Sequence, residues 1–449
     1  MPVPPVTHRF EHELGHDPLL VSANLVRSGP PDDYVLYEDG DSWCYACHPL
    51  AEIVLTTKAI RIRQGDREWE TSPGDAPMEQ VAALLDGLPG HGWRAYGWAA
   101  FELAYLLAGQ DLDALPPDEP LLRLIVPGTE VVLREGLAVL RGTDAEVLAG
   151  LREQLNRPVG RTIAAPRPLP VEDLDRDGYR NAVGTAVEAI RQRRLQKMIL
   201  SRVVPVDFPV DLVDTYVVGR RGNSPARSFL LHTGGVAAAG FSPETVVEID
   251  ADGWVHTQPL AGTRATGQDE RDTERLRTDL LWDTKELSEH AMSVKVAYDE
   301  MAALARSGTA AVADFLSIKV RGSVQHLASS VRGQLPVGTS AWDAFGALFP
   351  AVTACGVPKP AAYQAIRSLE SHPRGLYAGA VLRAEQGGAL DAALVLRTVF
   401  RQGGSTWLRA GAGIVADSDP DREFTETCEK LRSIASFLVP GNADDTTTF

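Results

Sequence analysis

What most constrains this chain is the order in which its apolar patterns follow one another. Between residues 175 and 440, glycine-punctuated runs of strand length are interrupted by only a few long helical stretches. Asp175–Arg194 carries Tyr179, Ala182, Val183, Ala186, Val187 and Ile190 at helical spacing. Lys197–Val206 is β-branched and strand-like, and Ser228–His232, Val236–Phe241, Thr245–Ile249 and Val255–Leu260 follow as short strands. Asp269–Ala305 predicts a long helical region with room for an interruption. Strands at Phe315–Val320, His326–Val331, Gly379–Arg383, Ala392–Phe400 and Trp407–Ala410 precede a last helix, Pro420–Leu438. A parallel sheet needs a crossover after every strand, and this order does not supply one. The pattern predicts an α+β fold.

Residues 1–172 mix strand-like runs, Tyr34–Tyr37 and Glu130–Leu133, with helical stretches at Met78–Leu88 and Asp144–Leu155. Residues 156–172 are proline-rich without periodicity, which predicts a surface crossover between this N-terminal part and the region 173–440. The polar tail, 441–449, is expected to be disordered. No short-period repeat of the solenoid kind is present.

The formal net charge of -16 argues against a nucleic-acid or anionic-membrane surface, both of which need concentrated Lys and Arg. The N-terminus lacks a basic segment followed by an apolar one, and no apolar run reaches the roughly 18 residues a membrane helix needs. A cytoplasmic protein is expected. Four cysteines are too scattered for a disulfide framework. Cys44-Tyr-Ala-Cys-His48 matches a haem-attachment pattern, but there is no export signal and no second cysteine pair for zinc, so free thiols are expected.

Two helices carry the sharpest signal. Glu286 and Glu289 lie three residues apart and share a helical face; Glu423 and Glu426 repeat the spacing, and Lys430 continues their face one turn on. Like charges so placed repel unless solvent or a cation relieves them. Spacing alone is compatible with two acidic stripes facing water. Spacing alone favours that reading, and the alternative is a hard divalent cation between facing helices, for which carboxylate oxygens favour Mg2+.

The neighbouring motifs favour the second reading. Gly240-Phe-Ser-Pro-Glu, Gln258-Pro-Leu-Ala-Gly-Thr-Arg, Thr284-Lys-Glu-Leu-Ser-Glu-His, Leu348-Phe-Pro-Ala-Val-Thr-Ala-Cys-Gly-Val-Pro-Lys, Arg374-Gly-Leu-Tyr-Ala-Gly-Ala and Ala410-Gly-Ala-Gly-Ile-Val-Ala-Asp-Ser appear in one order. Together they resemble the chorismate-utilising enzymes, whose fold has central β-sheet layers with helices packed outside. Three details resemble the salicylate synthase branch: Gln196-Lys-Met-Ile-Leu-Ser-Arg, Arg321-Gly-Ser-Val-Gln-His-Leu, and Thr-Ala-Cys-Gly-Val-Pro-Lys where Ser-Gly-Ala-Pro-Lys is more usual. The N-terminal third matches loosely, and nothing functional is carried over there.

The resemblance implies two steps. Water adds at C2 of chorismate as the C4 hydroxyl leaves, giving isochorismate; the enolpyruvyl group then departs as pyruvate, leaving salicylate. Such a product suits siderophore or other natural-product biosynthesis. By the same resemblance Lys197 is the base and Glu244 the acid, kept protonated by a raised pKa. Glu286, Glu289, Glu423 and Glu426 would hold Mg2+ against the ring carboxylate. Arg397 and Tyr377 would clasp the enolpyruvyl carboxylate, completed by Thr353 and backbone N–H groups near Gly411. Gly262 and Thr263 would line the ring, and Lys430 would tune charge at the metal site or border the substrate. His290 and His326 are read as hydrogen-bonded residues, because a concerted elimination needs no base. The alternatives are an isochorismate synthase without pyruvate elimination, an ammonia-using relative of the anthranilate synthase type, and a catalytically silent anion-binding homologue. The first reading needs no obligatory protein partner and none is expected; the ammonia-using alternative would need an ammonia source such as a partner glutaminase subunit, since the chain has no glutaminase motif of its own.

Overall fold

The computed structural model describes residues 8–29, 33–89, 92–157, 159–160, 162–267, 269–322 and 324–442. The extreme N-terminus and most of the tail expected to be disordered lie outside them. Strand pairing among the described residues is antiparallel throughout and forms one continuous hydrogen-bonded network. This is the α+β arrangement.

The network has two halves hinged on two long strands, Ser42–Thr56 and Pro120–Arg134, which pair along their length. Their register breaks at Pro49 and Pro127, where neither residue can donate to the ladder. His48 beside the break takes a positive φ of 54°, and a Cβ on Gly128 would meet its carbonyl at 2.9 Å. Cys44–Cys47 pairs with Tyr34–Tyr37 on one side of the break; Ala51–Leu55 pairs with Ile60–Gln64 on the other. One half continues through Tyr34–Asp39, Arg227–Thr233, Val236–Ser242, Thr398–Gln402 and Ser405–Ile414 to Lys197–Pro205. The other runs through Arg94–Ala99, Ala380–Glu385, Leu390–Leu394, Thr245–Ile249 and Trp254–Thr257 to Val324–Gln334. Strands from the N-terminal third thus form the junction of the two halves.

Several boundaries differ from the sequence expectation. Glu130–Leu133 is the end of the fifteen-residue strand Pro120–Arg134. Val255–Leu260 is two strands, Trp254–Thr257 and Leu260–Ala265, separated at Gln258-Pro259 because proline cannot donate. Asp269–Ala305 is two helices, Glu270–Trp282 and Thr284–Leu304. Asp283 separates them: its extended backbone ends the first, and its carboxylate accepts from the N–H groups of Lys285 and Glu286 to start the second. Ala392–Phe400 is also two strands, parted at Arg397, whose φ of 50° no regular strand accommodates. Residues 159–160 and 162–172 contain neither helix nor strand.

Cys44 and Cys47 lie three apart in an unbroken stretch of strand, so their thiols point to opposite faces. Both are buried and free, and burial pushes the Cys47 thiol up to about 12. They cannot act together on one ligand. Among the described residues no helix is long and apolar enough to cross a membrane.

Candidate active site

A cavity of about 770 Å³, counting its mouth, opens where the two halves of the network end. One half contributes Ile199, Arg397, Arg409, Gly411 and Gly413; the other contributes Leu260, Gly262, Thr263 and His326. The helices Thr284–Leu304 and Pro420–Ala435 close it with Glu289, Glu426 and Lys430. Glu244, Thr353 and Tyr377 complete the wall. Of the thirteen residues singled out from sequence, Lys197, Glu286 and Glu423 do not line the cavity.

Three glycine positions are demanded by close approach. Gly262 has a φ of 81° at a bulge between Ala261 and Thr263, and a Cβ there would press on Glu286 and Leu327 at 3.2 Å. On Ser405–Ile414, a Cβ at Gly411 would meet Leu200 O at 2.7 Å and the Tyr377 hydroxyl at 3.0 Å. At Gly413 a Cβ would overlap the Glu289 carboxylate. These small residues let glutamate and tyrosine reach the sheet surface.

Glu244 follows the strand Val236–Ser242 and is buried. Its Oε1 accepts from the Thr353 hydroxyl at 2.7 Å and its Oε2 from Leu260 N–H at 2.7 Å. Burial pushes its carboxyl up to about 7, although those two hydrogen bonds, with Lys197 and Lys430 nearby, pull the other way. Thr353, expected to complete a substrate carboxylate contact, commits its hydroxyl proton to Glu244.

Arg397 is buried with no acid partner among the described residues. Nη1 donates to Arg321 O at 3.1 Å and Nη2 donates to His326 Nε2 at 2.6 Å. Burial first, then the Arg321 charge, draws its guanidinium down to about 10, so it stays a cation at neutral pH. His326 is held neutral by burial and by Arg397. With Nε2 accepting, its proton is assigned to Nδ1, which faces Thr263 Oγ1 at 3.1 Å and Gly262 O at 3.3 Å. Its positions are hydrogen-bonded on both sides of the ring.

Lys197 lies fully buried behind the wall, with Nζ 2.9 Å from Glu289 Oε1 and 3.0 Å from Ser293 Oγ. Ile199, two residues on, shares its face and reaches the cavity. Arg202 points away, donating to Thr427 and lying 4.5 Å from the Phe424 ring centre. His290 is buried against the Ser329 hydroxyl at 2.7 Å, and burial with Lys197 nearby draws it down to about 4.

The four helix glutamates are not solvent-facing stripes. Glu286, Glu289 and Glu423 are buried, and Glu426 borders the cavity. Each has a cationic neighbour: Arg422 at 3.2 Å from Glu286, Lys197 on Glu289, Lys285 at 2.8 Å from Glu423, and Lys430 at 2.7 Å from Glu426. Burial and then the Glu426 charge raise Glu286, and the same two causes push Glu423 up to about 7. Glu426 is held below the usual carboxylate range because Lys430 and Lys285 outweigh its burial. Lys430 also donates to Gly411 O at 3.0 Å, and Glu426 keeps its ammonium above the ordinary lysine range despite burial.

As a cation site, the donor chemistry fits: four carboxylates on facing helices, two of which, Glu286 and Glu423, are raised by burial and by the Glu426 charge. Glu423 Oε2 is buried without a hydrogen bond of ordinary geometry. In this arrangement no three His, Cys, Asp or Glu side chains among the described residues converge as a metal-ligand group.

Sequence reasoning missed the groups that hold the site. Glu370 is buried and binds Arg374 at 2.7 Å, Arg409 at 2.6 Å, and the N–H and hydroxyl of Ser201 at 2.8 Å each. Glu102, from the N-terminal third, accepts from the N–H groups of Arg374 and Gly375 at 2.7 and 3.0 Å and so fixes the turn before Tyr377. Nothing at Glu102 or Glu370 in the sequence shows that they lie beside Arg374.

Residues 32–436 match a family described as chorismate binding enzyme. The chain is 42% identical, over 94% of its own length and 94% of the relative's, to a salicylate synthase of Mycolicibacterium paratuberculosis. It is 33% identical, over 69% of its length and 63% of the relative's, to anthranilate synthase component 1 of Pseudomonas putida. The structure of anthranilate synthase component I from Streptococcus pneumoniae superposes with a TM-score of 0.73 at 25% identity, covering 91% of this chain and 93% of that one. The menaquinone-specific isochorismate synthase of Escherichia coli shares the fold, with a TM-score of 0.72 at 21% identity over 97% of this chain and 96% of that one.

Proposed function

The chain belongs to the chorismate-binding enzyme family, and from that premise we propose that it converts chorismate to salicylate and pyruvate by way of isochorismate. The observation that carries this reading is the pairing of opposite needs in one cavity. Arg397 is a buried cation without an acid, and Glu244 is a buried carboxyl raised to about 7. A dianionic substrate with a departing hydroxyl answers both.

In the first step Glu244, whose raised carboxyl keeps a substantial protonated fraction at neutral pH, gives its proton to the C4 hydroxyl as that group leaves. Lys197 takes a proton from the water that bonds to C2. A lysine does this only as the free amine, and Nζ must turn from Glu289 Oε1 to reach the water. Arg397, aimed by Arg321 O and His326 Nε2, binds the enolpyruvyl carboxylate beside Tyr377. In the second step the hydrogen at C2 passes to the enolpyruvyl methylene as the C3–O bond breaks. That transfer is concerted and needs positioning by the same wall. Glu286, Glu289, Glu423 and Glu426 would hold Mg2+, which would supply positive charge for the ring carboxylate.

Incubation with chorismate and Mg2+, with products identified by chromatography and a coupled pyruvate assay, tests the reading. Salicylate and pyruvate in equal amounts are expected. Isochorismate accumulating without pyruvate would reduce the protein to an isochorismate synthase, and no consumption of chorismate would reject the proposal.

A further inference from the structure

Arg321 ends the strand Ala311–Arg321 and belongs to a sequence motif of which the mechanism above uses only His326. Its two ends touch the two working groups of the cavity. Its Nε donates to Pro243 O at 3.0 Å, next to Glu244 in the chain, and its own carbonyl accepts from Arg397 Nη1 at 3.1 Å. The turn that follows is pinned: Gly322 has a φ of 66°, its N–H donates to the Ser224 hydroxyl at 2.9 Å, and a Cβ there would meet Asn223 Oδ1 at 2.8 Å. Asn223 is itself held by Gly219 O and Ser433 O at 3.0 and 3.1 Å. The carbonyl that aims Arg397 is therefore set by this turn together with the side-chain contact to Pro243.

Packing by itself does not explain the charge. Arg321 makes no ion pair among the described residues; burial first, then the Arg227 charge, depresses its own pKa, and its charge in turn depresses that of Arg397. Arg227 is already neutralised by Asp391 at 2.6 Å. Glu244 is the one acid that favours the charge on Arg321. A guanidinium kept in such a place at an electrostatic cost has a use for its charge as well as its shape.

We propose that Arg321 is a positioning residue that ties the loop of the acid Glu244 to the carboxylate-binding Arg397, setting their separation and lending the acid a neighbouring positive charge. The inference rests on the function proposed above. The groups facing Glu244 are Lys197, Lys430, Arg321 and Arg397 as cations, with the Thr353 hydroxyl and Leu260 N–H as hydrogen-bond donors. Removing one cation raises the pKa of a carboxyl. The rate falls as Glu244 loses its proton, so Arg321→Met must move the alkaline limb of the chorismate pH–rate profile to higher pH, and Arg321→Lys must bring it back.

The experiment measures that profile for the parental, Arg321→Met, Arg321→Gln and Arg321→Lys proteins. Beside it, calorimetry measures binding of a non-reacting aromatic dicarboxylate with one ring carboxylate and one ether-linked carboxylate. Loss of the proper aim of Arg397 should weaken that binding roughly tenfold in the Met and Gln variants, the scale of one charge-assisted hydrogen bond. Arg321 is partly exposed at a hairpin end, so Gln serves if Met does not fold. An alkaline limb that stays in place, or dicarboxylate affinity equal to the parental value, would overturn the inference. If the parental protein does not consume chorismate, the proposed function fails, and the calorimetric comparison still decides whether Arg321 aims Arg397.

Discussion

The two ends of the cavity solve opposite electrostatic problems. At the Glu244 end a single carboxyl is buried with neutral hydrogen-bond donors, while Arg397 and Arg321 stand without acids of their own. At the helix end four carboxylates lie close together, and Lys197, Lys285, Lys430 and Arg422 are threaded among them. The first end has positive charge to spare, while at the second each carboxylate is matched by a cation. A substrate with two carboxylates fits between them if a cation joins it at the helix end. Burial makes the imbalance at the first end large and the pairings at the second strong, because water is not there to screen them.

The comparison breaks most sharply on Glu244 and Lys197. Glu244→Gln should lower chorismate consumption by roughly a hundredfold to ten-thousandfold, the usual scale of general acid–base catalysis. Lys197→Ala should do the same from chorismate yet still turn supplied isochorismate into salicylate and pyruvate. Salicylate fluorescence read from each substrate separates these outcomes. Loss of both activities in a folded Lys197→Ala protein would show that the lysine serves both steps.

Arg397→Met should lower kcat/KM in both steps by roughly ten- to a hundredfold, since a charge-assisted contact is worth about 1.5–3 kcal/mol. Thermal stability should fall only modestly with it, because this guanidinium has no acid partner and leaves behind two neutral acceptors, Arg321 O and His326 Nε2. A large drop in Tm would mean that Arg397 is a structural cation and that the two ends differ less than described.

The helix end is sharpened by metal. EDTA should abolish turnover and Mg2+ restore it. Independently of activity, Mg2+ at about 100 times its Kd should stabilise the folded protein by about 2.7 kcal/mol, seen as a rise in Tm. Glu426→Gln should blunt that rise. An equal rise in the variant would move the cation elsewhere.

The smallest expected effect is on stability against pH. The Glu244 pKa is raised on folding, from 4.5 to about 7, so the folded state binds more protons through that window. Its contribution therefore becomes less favourable as pH rises from about 4.5 to about 7, and the deficit is complete above. Glu244→Gln should gain stability relative to the parental protein at pH 8 and not at pH 4. Denaturant midpoints at the two pH values measure this, and a difference independent of pH would contradict the raised carboxyl.

Much of this was legible before any coordinates. Helical periodicity over 175–194, the alternation of short strands and the i, i+3 glutamate pairs depend on neighbours within one or two turns, so sequence alone determined the elements and the residue types of the site. Asp283 is instructive in both directions. It sits inside a pattern that reads as a long helical region with room for an interruption, and only its cap to Lys285 and Glu286 shows where two helices meet. Tertiary structure alone decided that Arg397 leaves the strand pattern for a left-handed turn, because the reward lies in Arg321 O and His326, 76 and 71 residues away in the chain. It alone decided that Lys197 lies behind Glu289, and that Glu102 and Glu370 hold the loops of the cavity. Burial and long-range hydrogen bonds set these features, and both are properties of which segments meet in space, which no local pattern encodes.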